Sequence, residues 1–288
     1  MALDQADIEQ YEWRDGELQP KKEQEMSFLD HLEELRWHII RSLIAITVGW
    51  IILFIFHNWY FNNIILGPAS NDFIAYRWFC DLSQKIGAGD ALCMTLPEFK
   101  IQAVNFAEQF ITTIKMCFIG GFVIAFPYVF YEIWRFVAPG LYPEEQKITR
   151  GIVFICSALF LTGILFGFFI VAPFAINFLM GFTASPTVAN NPTLDSFVLY
   201  MVMFTLPAGL IFELPIVVHF LAKMGLLTGA TMRQYRRHAI VGILMVAAIL
   251  TPPDVVTQFL IGIPLYILYE ISIFVALRAE KKHQQSLE

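Results

Sequence analysis

The residues of this sequence best suited to chemistry are carboxylates, and they lie in three places where an apolar chain has little reason to keep them. Glu33 and Glu34 precede the first apolar segment, and Glu144 and Glu145 separate the second from the third. Glu213 lies inside the fourth. A carboxylate accepts paired hydrogen bonds from a guanidinium group. The first two groups therefore suit a cationic partner, and a carboxylate inside a membrane segment indicates a functional site.

The first group also has a partly structural explanation. Residues 28–36 have the pattern of an amphipathic helix, with Ser27 as a suitable N-cap. Asp30 then lies in the first turn, where the helix dipole favours an anion. Glu34 lies in the last turn before the apolar segment, where the dipole disfavours one if the helix ends there. The dipole therefore explains Asp30 better than Glu34.

The other two groups have structural alternatives as well. Pro143 can open a helix, with Glu144 and Glu145 as ordinary residues of its first turn. Glu213 could simply bond a neighbouring helix. Near mid-membrane, however, a carboxyl group costs several kcal/mol unless it faces protein or water. Pro215 removes a backbone donor nearby and predicts a bend in the same helix.

The composition of the chain indicates which kind of secondary structure carries these acids. The chain is 57% hydrophobic and 15% charged, and its uncharged stretches are long enough for spans of about 20 residues. The stretches are apolar on every face, which indicates helices and not a barrel. We predict an all-α integral membrane protein with six transmembrane helices. The apolar segments run over residues 39–56, 116–131, 151–182, 196–222 and 239–250, and the sixth follows residue 254.

The fifth segment is the least certain span. Residues 239–250 reach about 18 Å, well short of the hydrocarbon thickness. Either the segment does not cross the membrane, or the bilayer is thin beside it. Thinning is preferred, because otherwise the basic residues before the segment and the Pro252-Pro253-Asp254 turn after it would share one side.

Basic residues predict the orientation. Fifteen of the nineteen Lys and Arg residues lie in the tails, in the two loops around residues 132–150 and 223–237, or at adjoining helix ends. By the positive-inside rule these regions face the cytoplasm, so both termini are predicted inside. The remaining four lie toward the outside: Arg77, Lys85, Lys100 and Lys115.

The predicted organisation is a single membrane domain with two polar tails. Residues 1–26 form an acidic cytoplasmic tail, residues 27–278 the six-helix domain and residues 279–288 a second cytoplasmic tail. Residues 69–107 form an enlarged outer loop. Residues 1–36 contain eleven acids against four Lys or Arg, with no apolar core of a cleaved signal.

Cysteines and motifs complete the inventory. Cys80 and Cys93 lie in the outer loop and can form a disulfide in an oxidising compartment or remain two thiols. Cys117 and Cys156 fall within spans as small packing residues. No cysteine has metal-ligand spacing, and the sequence has no nucleotide-binding loop or hydrolase motif. We therefore expect no metal, no cofactor and no enzymatic activity.

Four motifs, in order, resemble those of the TatC family of Sec-independent (twin-arginine) translocase subunits over about residues 26–278. They are His31-Leu32-Glu33-Glu34-Leu35-Arg36, Phe136-Val137-Ala138-Pro139-Gly140-Leu141-Tyr142, Phe212-Glu213-Leu214-Pro215 and Leu250-Thr251-Pro252-Pro253-Asp254. Glu108, Lys115 and Gln258 also fit the family pattern. Each motif is weak alone, but their joint order and spacing make coincidence improbable.

The resemblance implies a receptor that binds twin-arginine signal peptides at the cytoplasmic face. Glu34 and Glu145 would bind the paired arginines, and lysine would substitute poorly because it lacks the planar guanidinium. The neighbouring residues implied in the same site are Glu33, Leu35, Arg36, Phe136 and Glu144.

The resemblance also implies the architecture and the partners. Six tilted helices would form a concave cup with short helices five and six, and Glu213 would project into the cup. Single-span TatA/TatB-type proteins would bind near Pro252, Asp254 and Gln258. Export of folded proteins would use the proton-motive force, in a multi-pass protein of the bacterial inner membrane that self-associates in a larger complex. No nucleic acid is implied.

A proton-coupled secondary transporter of a small solute is the alternative function. It would also need a mid-membrane carboxylate and interrupted helices. The halves of the chain show no internal repeat, and acids at the cytoplasmic rim suit a cationic peptide better than a small solute.

Overall fold

Helices dominate the structure, a computed structural model that describes residues 11–14, 17–20, 28–87, 89–90, 92–97, 99–137, 149–185, 187, 190–250 and 255–285. In chain order they are α1 (Phe28–Ile55), α2 (His57–Tyr60), α3 (Ile74–Lys85), α4 (Glu108–Val137), α5 (Thr149–Phe166), α6 (Ala172–Gly181), α7 (Leu194–Ile211), α8 (Leu214–Lys223), α9 (Gly229–Gln234), α10 (Arg236–Leu250) and α11 (Val255–Gln285). Two π-helical turns, Phe61–Ile65 and Gly167–Val171, and one 3-10 turn, Gly67–Ala69, lie between them.

Within these described residues, five helical stretches are long and apolar enough to cross a membrane. They are Glu33–Ile55, Glu108–Val137, Gly151–Gly181, Leu194–Lys223 and Gln258–Arg278. The third combines α5, a π-helical turn and α6, and the fourth combines α7 and α8. The protein is therefore a multi-pass helical membrane protein. The stretch predicted as the fifth span corresponds to α10, whose 15 residues extend about 22 Å.

Two expectations about the chain ends need correction. A short sixth helix was expected, but α11 has 31 residues, because the helix continues from its apolar part into a polar stretch rich in good helix formers. The all-α expectation also omitted an antiparallel hairpin of β1 (Tyr11–Arg14) and β2 (Glu17–Pro20). The sequence between the strands is Asp-Gly, a pair favoured in two-residue hairpin turns.

Small residues let α1 and α4 pack with their backbones nearly in contact. A Cβ built on Gly49 would lie 2.9 Å from the Gly121 carbonyl oxygen, and one built on Gly121 would lie 2.5 Å from the Trp50 backbone nitrogen. Helices approach this closely in membranes only where side chains are small, since van der Waals contact replaces the hydrophobic effect as the driving force.

Glycines also let α5 and the π-helical turn after it pack closely against α7. A Cβ on Gly163 would lie 2.6 Å from the Ala208 carbonyl oxygen, and one on Gly167 would overlap the carbonyl oxygen of Phe204. The helix then breaks between Ile211 and Leu214. The bend predicted at Pro215 is confirmed.

Contacts at the helix ends define two faces of the bundle. The N-terminal face carries the start of α1 and the ends of α4 and α8, where the rings of Trp134 and Phe220 lie 4.6 Å apart. The end of α11 is also there, because the Glu280 carboxylate accepts a hydrogen bond from the Gly229 backbone at the start of α9. The loop face carries the described residues between 56 and 107 and the starts of α4 and α7.

The contact between α1 and α4 generates a stability prediction. Gly121→Ala should lower the thermal unfolding temperature of the purified protein by several degrees, because the added methyl group has to displace backbone atoms at a cost of about 1–3 kcal/mol. Thermal unfolding in detergent, followed by tryptophan fluorescence, measures the change.

Gly242→Ala is the matched control, because nothing lies within 4 Å of a Cβ built at that helical position. Its unfolding temperature should be unchanged or slightly higher, since alanine is the better helix former. Equal unfolding temperatures for the two variants would contradict the close packing.

Candidate functional site

A buried polar pair joins α1 to α4 at the N-terminal face. His38 Nδ1 lies 2.5 Å from Glu132 Oε2, and the two side chains are only 6% and 2% exposed. Tyr128 also donates to this carboxylate, and Arg41 Nη1 lies 3.9 Å from it. A buried carboxylate needs such partners, because an unpaired charge in a low-dielectric region is costly. Glu132 is therefore fully engaged within the protein.

Glu34 lies one helical turn before His38 and has a different environment. Its carboxylate is 4.0 Å from His38 Nε2, and its side chain is 41% exposed. The Phe136 ring lies on another side of the histidine, with 6.1 Å between ring centroids. His38 thus holds the ends of α1 and α4 together and brings Glu34 near Phe136.

The structure describes some of the other residues predicted for this site and not the rest. Glu33 and Arg36 are exposed on α1, and Leu35 is half-buried. Glu144 and Glu145 lie outside the described residues, as do Pro252 and Asp254. Phe136 is the penultimate described residue of α4, which ends at Val137.

Glu213 lies at the break between α7 and α8 and is 9% exposed. The Cys156 thiol and the Phe160 backbone are its polar neighbours, yet neither carboxylate oxygen has a hydrogen bond of ordinary geometry to the part of the protein described here. A buried carboxyl group without such bonds is energetically costly. This unbonded carboxyl group therefore lies where the end of α7 meets the start of α8.

Gln258, predicted as a donor to a partner protein, donates within the chain. Its Nε2 is 3.2 Å from the Leu244 carbonyl oxygen and joins α11 to α10. Further along the same helix pair, Arg236 Nη2 lies 2.7 Å from Glu270 Oε2, and the Tyr266 hydroxyl donates to Glu270 Oε1 at 3.0 Å. The structure therefore gives Gln258 a packing contact, and its predicted role toward a partner stays a prediction.

Glu108 ties two helix starts together at the loop face. Its Oε2 accepts hydrogen bonds from the backbone N–H groups of Val104 and Asn105 at 2.7 and 3.0 Å, and its Oε1 accepts one from Asp195 at 3.0 Å. The first two bonds fix the turn before α4, and the third fixes the first turn of α7. One carboxylate thus satisfies donors that helix starts leave free.

Asp195 and Lys115 extend this connection. Lys115 Nζ donates to Asp195 Oδ1 at 2.9 Å, and the Thr112 hydroxyl donates to the same oxygen at 3.4 Å. The backbones of Gln102 and Thr193 also pair, as a parallel bridge. Lys115 and Asp195 are each about half exposed, so the wider contribution of their ion pair is modest.

The enlarged outer loop is folded upon itself. A disulfide joins Cys80, on α3, to Cys93, 13 residues later. The Asn71 side-chain amide donates to the Leu96 carbonyl oxygen and accepts from the Leu96 backbone N–H, and the Tyr76 hydroxyl donates to the Pro68 carbonyl at 2.8 Å. Burial raises the pKa of the Tyr76 phenol, which keeps it a donor.

Sequence analysis did not identify His38 or Glu132 as site residues. Two signals could have identified them. A histidine and an acid both border apolar segments, and His38 follows Glu34 by four residues, the spacing that puts two side chains on one helix face. Neither signal could pair residues 94 positions apart.

Comparisons with known proteins show which family this chain resembles. The family model described as "Sec-independent protein translocase protein (TatC)" matches residues 30–264. A protein of that name from Blattabacterium sp. subsp. Periplaneta americana (strain BPLAN) is 38% identical over 90% of this chain and 97% of its own length. One from Aquifex aeolicus (strain VF5) is 32% identical over 90% and 98%.

Solved structures match the overall fold. The crystal structure described as the twin arginine translocase receptor TatC matches with a TM-score of 0.62 and 32% identity, over 86% of this chain and 99% of the other. The same receptor crystallised in DDM matches with a TM-score of 0.66 and 32% identity, over 85% and 99%.

The outer loop generates a prediction about thiol count. The protein has four cysteines, and Cys117 and Cys156 are free and buried. Alkylation of the membrane-purified protein in denaturant without reductant should modify two cysteines, and alkylation after reduction should modify four. Intact mass measures both numbers.

Cys80→Ser supplies the control, because it leaves Cys93 without its partner and should raise the count without reductant to three. Four modified cysteines in the unreduced wild-type protein would contradict the disulfide.

Proposed function

Because the chain belongs to the TatC family, the receptor component of the twin-arginine translocase, we propose that Glu34 and Glu145 bind the paired arginines of a substrate's signal peptide. The protein is a transport component and not an enzyme. This membership also decides between the two functions considered from sequence, in favour of the receptor and against a small-solute transporter.

The contrast between Glu34 and Glu132 carries the proposal. Glu132 is buried, and His38, Tyr128 and Arg41 all lie around its carboxylate. Glu34 is 41% exposed, and its one ion-pair contact among the described residues is at the outer limit of 4.0 Å. Glu34 can therefore accept a guanidinium from outside the protein.

Packing beside Glu34 supports the participation of Glu145. Phe136 is in contact range of His38, and Glu145 follows Phe136 by nine residues. A segment of this length can return to the start of α1. Two carboxylates would then face two adjacent arginines, each able to form parallel N–H···O bonds.

The neighbouring residues have supporting roles in this proposal. Glu33 and Glu144 add negative potential around the docking site, which speeds the approach of a basic peptide. Leu35 and Phe136 offer apolar contact to the peptide, and Arg36 flanks the site at the membrane surface.

We also infer the orientation in the membrane. The N-terminal face would be cytoplasmic, with both termini inside, since most of the basic residues lie at that end. Six spans then require that α10 crosses a locally thin bilayer. The multi-pass protein would lie in a bacterial inner membrane, with the disulfide-bonded loop in the periplasm.

Partners and energy source complete the proposal. Single-span TatA/TatB-type proteins would pack near Pro252, Asp254 and Gln258, and the receptor would self-associate in a larger complex. Six tilted helices would form a cup that holds Glu213, and folded cargo would cross at the expense of the proton-motive force.

The docking site generates the first test. A photoreactive twin-arginine signal peptide should crosslink to wild-type protein in membranes, and Glu34→Gln and Glu145→Gln should each reduce the crosslink about 10- to 100-fold, since hydrogen bonds to charged groups contribute about 1.5–3 kcal/mol. A twin-lysine peptide should crosslink as weakly.

Asp81→Asn is the matched control, because it removes an exposed acid of the outer loop and should leave the crosslink unchanged. A full-strength crosslink to both Gln variants would exclude the two carboxylates as the docking site.

Glu213 generates the second test. If proton uptake by this carboxyl group is part of transport, Glu213→Gln should export cargo poorly and without the pH dependence of the wild type. Transport into inverted membrane vesicles across a pH series measures this. Wild-type export by the Gln variant at every pH would rule out titration of Glu213 during transport.

A further inference from the structure

A basic cavity opens at the junction of α9 and α10. Its volume is about 570 Å³, large enough for a lipid headgroup. The charged and aromatic residues that line it are Arg233, Tyr235, Arg236, Arg237, His238 and Tyr266. No residue assigned to signal-peptide or partner binding is among them.

The cavity retains positive charge. Arg236 is compensated by Glu270, whose carboxylate lies 2.7 Å from it. Across the described part of the chain, no ion pair involves Arg233 or Arg237, and both side chains are exposed. The other nearby acid, Glu280, is hydrogen-bonded to the α9 backbone. Two uncompensated guanidinium groups therefore face the opening.

Arg236 contributes an unpaired hydrogen-bond donor to the cavity. Its Nε is buried and has no hydrogen-bond partner among the described residues, although Nη2 is paired with Glu270. A buried donor without a partner is costly.

An apolar surface begins where the basic rim ends. Ile240 lines the cavity itself, and Val241 and Met245, one and two turns along α10 from Arg237, are 57% and 58% exposed. Such residues on a membrane helix contact acyl chains. A molecule with an anionic head and apolar tails could therefore place its head in the basic cavity and its tails along the apolar surface of α10.

We propose that this cavity binds the headgroup of an anionic phospholipid, with the acyl chains along α10. Arg233 and Arg237 contact the phosphate, and Tyr235 and Tyr266 flank it at the depth where aromatic residues favour the membrane interface. The bound lipid anchors the start of a helix that is only about 22 Å long.

The sign of the charge distinguishes this site from the proposed docking site. A twin-arginine signal peptide is cationic and would be repelled by Arg233 and Arg237, whereas Glu34 attracts it. The two sites therefore take opposite ligands.

Native mass spectrometry of the full-length protein with added phosphatidylglycerol or phosphatidylcholine tests the proposal. Wild type should retain phosphatidylglycerol in preference to phosphatidylcholine. The double variant Arg233→Gln, Arg237→Gln should bind phosphatidylglycerol about 30-fold more weakly, because each of the two basic residues at an anionic membrane surface contributes about 1 kcal/mol.

Two further variants and one competition experiment serve as controls. Arg233→Lys, Arg237→Lys keeps both charges and should retain most binding, which separates lost charge from misfolding. Arg278→Gln removes an exposed arginine outside the cavity and should bind like wild type. Millimolar inorganic phosphate should not displace the lipid, because the acyl chains contribute to affinity.

Undiminished phosphatidylglycerol binding by the double Gln variant would overturn the proposal. Complete displacement by inorganic phosphate would also overturn it, since the cavity would then be a site for free phosphate.

Discussion

Gly49 and Gly121 let the backbones of α1 and α4 touch, and α4 carries polar clusters at both faces of the bundle. At the N-terminal face it brings His38 against Glu132, which leaves Glu34 open beside them. At the loop face the same helix α4 begins at Glu108, whose carboxylate also holds the start of α7. Helix α4 therefore contributes to the close contact with α1 and to two polar clusters at its opposite ends.

Desolvation explains why the polar groups occur where they do. Glu108 and Glu132 both lie on α4, and each is enclosed by hydrogen-bond donors. Glu213 has no comparable set of donors in the described structure and lies at a helix break. A carboxyl group in such a position is retained for function more readily than for stability. Glu108 and Glu132 thus hold helices together, whereas Glu213 has no such bonds among the described residues.

Much of this could be predicted from sequence, because apolar length and proline positions act locally. The long spans and the interruption before Pro215 follow from such local rules. The pairing of His38 with Glu132 does not, since it depends on which helices become neighbours. The hairpin of β1 and β2 departs from the all-α expectation, because its strands are only four residues long and its main local signal is one Asp-Gly pair. α11 is longer than the expected short sixth helix, because the polar residues that follow its apolar part continue the helix.

The Glu108 bond to Asp195 has a consequence for the order of assembly during synthesis. The two residues are 87 positions apart, so the ribosome has to produce α5, α6 and the start of α7 before the first turn of α4 acquires its third donor. Cys80 and Cys93 are separated by 13 positions and can meet much earlier. The outer loop can thus acquire its covalent closure while its attachment to the rest of the bundle is still incomplete, and the nascent chain matures in two stages.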